Sequence, residues 1–481
     1  MTARLLPAIA LASLASPALA QHAHARPGQA TLTDRVHYCQ PDADGRLRGG
    51  FLLMDVPLDT ADPVTRGSAP VQTILDNGPA ENRIDLTFVG DGYTAAQMPL
   101  YHAHVENQYQ DFFAFEPFAT YQPYFNVHRV DIVSPESGVD NDPAEGVERD
   151  TALDMGFWCS GIERLLCVNV NRARAEANAA PGRDQVIAVA NSTKYGGAGY
   201  TTSNLATTSG GNNAASQVYI HELGHSLGNL ADEYTYGGPT TYTGPEFSDR
   251  NASIYNAAEQ QARQTKWSHW IGASLPGFDG PVSAYEGCHY SVNGAYRPSS
   301  NSMMRSLGRP FNIPSVESLI IEFYRIVSPI DSASPTDVLY SGHDTQISVV
   351  PMSPIGHALD VRWFIDGEPI PGQTGHTLRL CDLQLQPGTY LVETEVIDNT
   401  PWVRDEEARQ AYMRESLTYL VSIATPPGDR TGDGVLDFSD VLDFLEDFAG
   451  ADPSADLAPP HGVLDFSDVL EFLTRFGSPC G

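Results

Sequence analysis

The chain has 481 residues, of which 60 are acidic and 28 are Lys or Arg, giving a formal net charge of −32. That length suggests about three compact units, and 41% apolar residues can fill packed cores, which excludes wholesale disorder. So acidic a surface is repelled by nucleic acid and by anionic membrane, so neither is an expected partner.

Arg4, the apolar run Leu5 to Leu14, and Ala18-Leu19-Ala20 before Gln21 have the order of a secretory signal peptide, read here as residues 1–20. Ala23-His24-Ala25 is a second small-x-small site for the cut. The run is too short for a membrane span, which needs about 20 apolar residues, and no later segment is long and apolar enough. The expectation is an exported protein, secreted or held at the cell surface, without a transmembrane segment. Outside the cytosol its six cysteines, Cys39, Cys159, Cys167, Cys288, Cys381 and Cys480, are free to pair. Cys159 and Cys167 are near enough in sequence to close a small loop. None lies in a Cys-x-x-Cys pair, which speaks against a structural zinc knuckle.

Residues 21–80 mix Gly, Pro and short apolar stretches such as Phe51-Leu52-Leu53-Met54, and read as a β-rich N-terminal prefix. From residue 81 the pattern changes. Ile84 to Val89 is strand-like and runs into a Gly90-Asp91-Gly92 turn, residues 97–115 read as a helix, and Phe125–Val130 and Val186–Ala190 read as further strands. A Gly-rich stretch from Tyr195 to Gly211 follows, either a loop or a bare backbone edge for a substrate strand. Strands alternating with helices predict an α/β domain over 81–329. Residues 330–425, with the alternating run Val361 to Ile365, the Asp366-Gly367 turn and a second run from Gly388, predict an all-β sandwich. Pro426-Pro427-Gly428 then leads into a tail, 426–481, in which Gly434 to Leu442 recurs as Gly462 to Leu470.

The sharpest motif is His221-Glu222-Leu223-Gly224-His225. Four residues apart on a helix, both imidazoles face one metal, and Glu222 stands beside them to take a proton from a metal-bound water. A zinc ion lowers that water's pKa towards neutrality, so a carboxylate is a sufficient base. Val218, Tyr219, Leu223 and Leu227 supply the helix with an apolar side. His221 to Gly228 resembles the zincin pattern of metzincin type, which implies that Gly228 breaks the helix and turns the chain towards the metal. That pattern puts the third ligand three residues on, where this chain has Ala231, followed by Asp232 and Glu233. Asp232 is the choice, because a non-helical turn absorbs a one-residue offset easily, with Glu233 as the alternative.

The run His221 to Tyr234, with Asp91-Gly92-Tyr93-Thr94, Tyr195-Gly196-Gly197 and Tyr296-Arg297-Pro298 leading to Met303-Met304-Arg305, resembles the IgA-peptidase family, or igalysins. These are secreted bacterial zinc endopeptidases of the metzincin type. The likeness spans about residues 80–330, and the following sandwich is similar to the family's Ig-like module. It implies a zincin fold, Zn2+ on His221, His225 and a carboxylate, Glu222 as general base, and a protein or peptide substrate. Asn301 to Arg305 is similar to the Met-turn that floors such a zinc site. Ser306 stands where a transition-state tyrosine would follow it, which leaves Tyr290 and Tyr296 as candidates for that role. Ser302 departs from the Cys often found before the turn methionines.

In the tail, Asp429 to Asp440 fits a twelve-position calcium loop. Asp429, Thr431, Asp433, Asp437 and Asp440 supply oxygens, Val435 its carbonyl, and Gly434 the turn. The second copy is damaged, with Pro459 and His461 at ligand positions and Asp456 off register. The duplicated loop-helix pattern resembles GC-type dockerin modules, which implies structural Ca2+ and a cohesin-like or cell-surface docking partner. Together these readings predict a multidomain chain: an α/β zincin domain, an Ig-like sandwich and a small α calcium-loop tail. The alternative function is a calcium-dependent surface-binding or docking protein with a vestigial protease domain, against which the intact Glu222 weighs.

Overall fold

The computed structural model describes residues 31–42, 46–57, 69–235, 240–341, 345–383 and 385–477. Residues 1–20, expected from the sequence to be a signal peptide, and Cys480 lie outside them. The chain divides into two compact units, one made of residues 1–119 with 125–319, the other of residues 120–124 with 320–481.

The first unit is built on an eight-stranded sheet of order β2-β1-β7-β8-β6-β4-β5-β3. Its strands are β1 (Thr31–Pro41), β2 (Leu47–Pro57), β3 (Val71–Leu75), β4 (Ile84–Asp91), β5 (Phe125–Val130), β6 (Gln185–Ala190), β7 (Gly197–Tyr200) and β8 (Leu205–Ser209). The central four, β8, β6, β4 and β5, run parallel. All of β4, β5 and β6 is buried, as expected where helices cover a parallel sheet and a strand needs apolar residues on both faces. The outer strands β7, β1 and β2 are antiparallel to their neighbours. The Gly-rich stretch after Tyr195 is thus neither a loop nor a bare edge. It forms β7 and β8, and β1, from the N-terminal prefix, pairs with β7.

Three helices pack with the sheet: α1 (Met98–Phe112), α2 (Val170–Ala177) and α3 (Ala215–Ser226). Helix α3, which carries the His-Glu-x-x-His motif, is not amphipathic in place. Every residue from Val218 to His225 is buried, the polar ones included. Its apolar side meets the aromatic core, where Tyr219 lies against Phe88 and Phe112 and donates to the Gln108 carbonyl at 2.5 Å. Gly197 allows β7 to approach the helix, since a Cβ there would lie 2.5 Å from Val218. Asp91 ends β4 as a loop organiser. Its two oxygens accept from Leu153 N, Met155 N, Thr151 and Ser134, while Gly92, at φ 73°, passes too close to Gly138 O for any side chain. Cys159 and Cys167 form a disulfide. A hairpin, β9 (Tyr285–Cys288) and β10 (Ser291–Arg297), completes the parts that matter to the site.

In the second unit, strands Ile330–Ala333, Gln346–Pro351 and Thr377–Arg379 form one sheet. Leu339–Ser341, Asp360–Ile365, Glu368–Pro369, Gly388–Ile397 and Arg414–Ile423 form another. Both feed one core of Ile347, Val349, Leu378, Val361, Trp363, Val392 and Tyr419. Asp366 and Gly367, both at positive φ, make the tight turn between two of these strands. The tail holds helices Phe438–Ala449 and Phe466–Phe476, each capped by an Asp (Asp437, Asp465) in a capping box, with Phe444 stacked on Phe472 at 4.1 Å.

Candidate metal centre

His221 and His225 sit one turn apart on α3, and each is oriented by a backbone carbonyl. His221 Nδ1 lies 3.0 Å from Met303 O, and His225 Nδ1 lies 2.7 Å from Leu230 O. A carbonyl only accepts, so both Nδ1 atoms carry hydrogen and both Nε2 atoms turn their lone pairs inward. Asp232 Oδ1 stands 3.1 Å from His221 Nε2 and 3.4 Å from His225 Nε2. Three electron-rich atoms so placed need positive charge between them. The separations match the roughly 3.3 Å between ligand atoms of a tetrahedral ion with bonds of about 2.0–2.1 Å. Among buried atoms, His225 Nε2 and Glu222 Oε2 have no hydrogen-bond partner. The donor set of two imidazoles and a carboxylate fits a divalent zinc-like ion.

Electrostatics carry the same demand. Burial pulls the His225 imidazolium down, but the Asp232 carboxylate outweighs it and pushes the group up to about 9. Burial likewise works against the Asp232 anion, yet His225 and the bonds from His221 and His37 hold it well below the carboxylate range. Without an ion, a proton on His225 supplies the missing charge. Glu222 is fully buried, and burial raises its pKa despite the two histidines.

After α3 the chain turns at Gly228 and Asn229, the latter in the left-handed region at φ 50°. Residues 231–234 are then pinned on three sides. Asn251 bonds both the N–H and the carbonyl of Ala231, Glu233 N donates to Met304 O, and the β9–β10 turn donates from His289 N to Asp232 O and from Tyr290 N to Tyr234 O. Asp232 therefore faces the histidines while Glu233 points the other way. Glu233 accepts from Ser302 at 2.7 Å, Asn312 at 2.9 Å and Asn251 at 3.0 Å, and burial pushes it up to about 7 against those bonds. It ties the Met303-Met304 turn to the loop. Met304 itself lies under Gly224, where a Cβ would meet its sulfur at 2.6 Å. Of the two tyrosines, Tyr290 donates to Asp232 Oδ2 at 2.5 Å. Tyr296 instead exchanges backbone bonds with Ser253.

Two residues at the site were not singled out from the sequence. His37 and Cys39, alternate residues of β1, lie on the face turned to α3. His37 stacks on His225 with ring centroids 3.9 Å apart and brings Nδ1 within 3.3 Å of Asp232 Oδ2. Cys39 Sγ is 3.6 Å from Glu222 Oε1 and 3.6 Å from the Tyr195 hydroxyl. Two ligand-type groups are thus drawn together, His37 with His225 and Asp232, and Cys39 with His221 and Glu222. The available signal was slight: two ligand-type side chains spaced by two in a β-rich stretch.

In the tail, no three of Asp429, Asp433, Asp437 and Asp440 bring their oxygens within 4.8 Å of one another. Asp429 accepts from Gly432 N and Gly434 N, both at 2.7 Å, and the buried Asp440 from Arg430 N, Thr431 N and Asp437 N. Thr431 bonds Asp440, and Val435 N donates to Asp433. In the second copy, Asp456 accepts from Gly462 N and meets His461 at 3.1 Å.

Among the described residues, no helix is long and apolar enough to cross a membrane. No curated protein matches the chain. A solved structure of a Bacteroides ovatus mixed-linkage glucan utilization locus protein, SGBP-B, in complex with a mixed-linkage heptasaccharide, matches at 18% identity and a TM-score of 0.13. That match covers 20% of this chain and 21% of the other, too little to speak to the fold. Residues 72–278, which include the His221-to-Glu233 segment, match the IgA Peptidase M64 family, and that likeness supports reading this stretch as a peptidase at the family level.

Proposed function

We propose that the first unit is a zinc-dependent endopeptidase, with His221, His225 and Asp232 holding the ion and Glu222 acting as general base. The observation that carries this is the convergence of His221 Nε2, His225 Nε2 and Asp232 Oδ1 beside a buried Glu222 oxygen without a partner. A zinc ion held there would polarise a peptide carbonyl and acidify a water. Glu222, whose pKa is raised by burial, takes the water's proton and returns it to the leaving amine. Tyr290 steadies the outer oxygen of Asp232, and the carbonyls of Met303 and Leu230 hold the imidazoles in the ligating tautomer.

The tail is, in this reading, a calcium-stabilised docking module. Phe438, Leu442 and Leu445 are exposed on one helix, and Phe466, Leu470 and Leu473 on its repeat, which suits a partner of cohesin-like or cell-surface kind. The N-terminal signal implies export, so the substrate is extracellular protein or peptide. The test is zinc content by mass spectrometry together with casein cleavage, measured on the intact chain and after scission between Pro57 and Ala69. Wild type binds one zinc and cleaves, whereas Glu222→Ala keeps the zinc and loses cleavage. Cleavage that survives Glu222→Ala rejects the mechanism, and calcium-dependent surface binding without cleavage in any form favours a docking protein.

A further inference from the structure

The residues proposed to bind metal and move protons are sealed. His221 and Glu222 are 0% exposed, Asp232 1% and His225 3%. No substrate carbonyl reaches Glu222 unless something leaves, and what covers it is the β1–β2 hairpin. Strand β1 lies antiparallel along β7, with Val36 opposite Tyr200 and His37 opposite Gly199, as an extended peptide would lie on a free edge. Thr201 N donates to Arg35 O at 3.2 Å, and the Asp34 carboxylate accepts from Thr202 N and Ser203 N at 2.8 and 3.0 Å. The other strand crosses to the Met-turn side, where Leu47 N donates to Arg305 O at 2.9 Å and Arg46 bridges Ser306. The two strands thus reach from β7 on one side to Arg305 and Ser306 on the other.

We infer that strands β1 and β2 are a built-in inhibitor of the metal site, with β1 occupying the substrate's edge and Cys39 filling the metal's open coordination position. The inference rests on the zinc site proposed above. Two independent features single out Cys39. Its sulfur belongs to the same close group as His221 and Glu222, 3.6 Å from Glu222 Oε1, and the other oxygen of that carboxylate, Oε2, is buried and without a hydrogen-bond partner. The step balances without an oxidant. With an ion bound, Cys39 would hold it through Sγ in place of a water, its S–H proton passing to Glu222 Oε1, 3.6 Å away. Removing the hairpin reverses each change. His37, stacked on His225, closes the remaining gap.

The experiment uses the full exported chain loaded with cobalt(II) in place of zinc, with a cleavage site engineered between Pro57 and Ala69. The intact protein is expected to show a thiolate-to-cobalt charge-transfer band that Cys39→Ala abolishes without loss of bound cobalt. Scission and removal of the hairpin are expected to raise casein cleavage about ten-fold or more by freeing the competent state, and a synthetic Thr31–Pro57 peptide to reverse the gain. Equal cleavage before and after removal overturns the inhibitor role while leaving the peptidase reading intact. Bound cobalt without the band overturns the role of Cys39. If neither form cleaves although cobalt binds through His221 and His225, the peptidase reading fails, and the band alone decides the hairpin's contact. Should the released chain unfold, the spectra of intact wild type and Cys39→Ala remain decisive.

Discussion

Position 199 is glycine because of Glu222: a Cβ there would lie 2.5 Å from Oε2 and 3.0 Å from Cβ of Glu222. The strand next to α3 gives up a side chain so that the proposed base can stand between helix and sheet. Gly199→Ala is therefore expected to displace the Glu222 carboxylate and lower kcat by about 100-fold, within the span assigned to general acid–base catalysis. Zinc content should stay unchanged, because the ligating atoms are elsewhere. Steady-state cleavage after hairpin removal, with zinc analysis of the same sample, checks this. An unaltered kcat would refute it.

Asp232 and Glu233 are neighbours with opposite surroundings, and their variants should separate cleanly. Asp232→Ala is expected to lose bound zinc on dialysis. Glu233→Gln should retain it but cost about 1–3 kcal/mol of stability, because three donors lose a full carboxylate acceptor. Zinc analysis and urea unfolding read the two effects independently.

Tyr290→Phe removes the bond to Asp232 Oδ2 while keeping the ring beside Tyr234. Partners of metal ligands typically change affinity by 10–100-fold, so zinc affinity should fall by about ten-fold with the fold intact. Competition against a zinc chelator measures it.

Asp398, in the second unit, accepts from Tyr121 at 2.7 Å, Tyr324 at 2.8 Å and Thr400 N at 2.8 Å, with His357 Nε2 at 3.0 Å. Burial pushes its carboxyl up, but the bonds from His357, Tyr121 and Tyr324 prevail and hold it below the ordinary 3.8. The unfolded chain then binds more protons than the folded one between these two values. The stabilisation is complete above about 3.8 and is lost as pH falls through the lower folded value. Unfolding of this unit followed from pH 5 downward should show that loss, and Asp398→Asn should flatten it.

Calcium is expected to raise the unfolding temperature of the tail. Asp433 is exposed and accepts from Val435 N at 2.8 Å, so Asp433→Ala should weaken calcium binding without disturbing the metal-free fold. Calorimetric titration of wild type and variant tests this, and an identical affinity in both would remove Asp433 from the loop's ligands.

What could be read without coordinates was what short-range geometry encodes. The i, i+4 histidines and Glu222 needed only the helical repeat. The central strands from Ile84, Phe125 and Val186 needed only their apolar runs, and the tail helices only the duplicated loop-helix pattern. The choice between Asp232 and Glu233 was open because the loop after Gly228 is not helical. Its facing is decided by Asn251, Met304 and the turn at Tyr290, residues spread between positions 251 and 304 of the chain. Likewise the Gly-rich stretch gave no sign of its partner, since glycines mark close approach without naming what approaches.

The sequence by itself determined the local chemistry: two imidazoles and a carboxylate on one helix, an acidic surface, and a duplicated loop-helix tail. Only the tertiary structure decided that His37 and Cys39 meet that helix. A backbone edge pairs with whatever strand the fold delivers, over any sequence separation, and an alternating pattern states which residues share a face but not what that face covers.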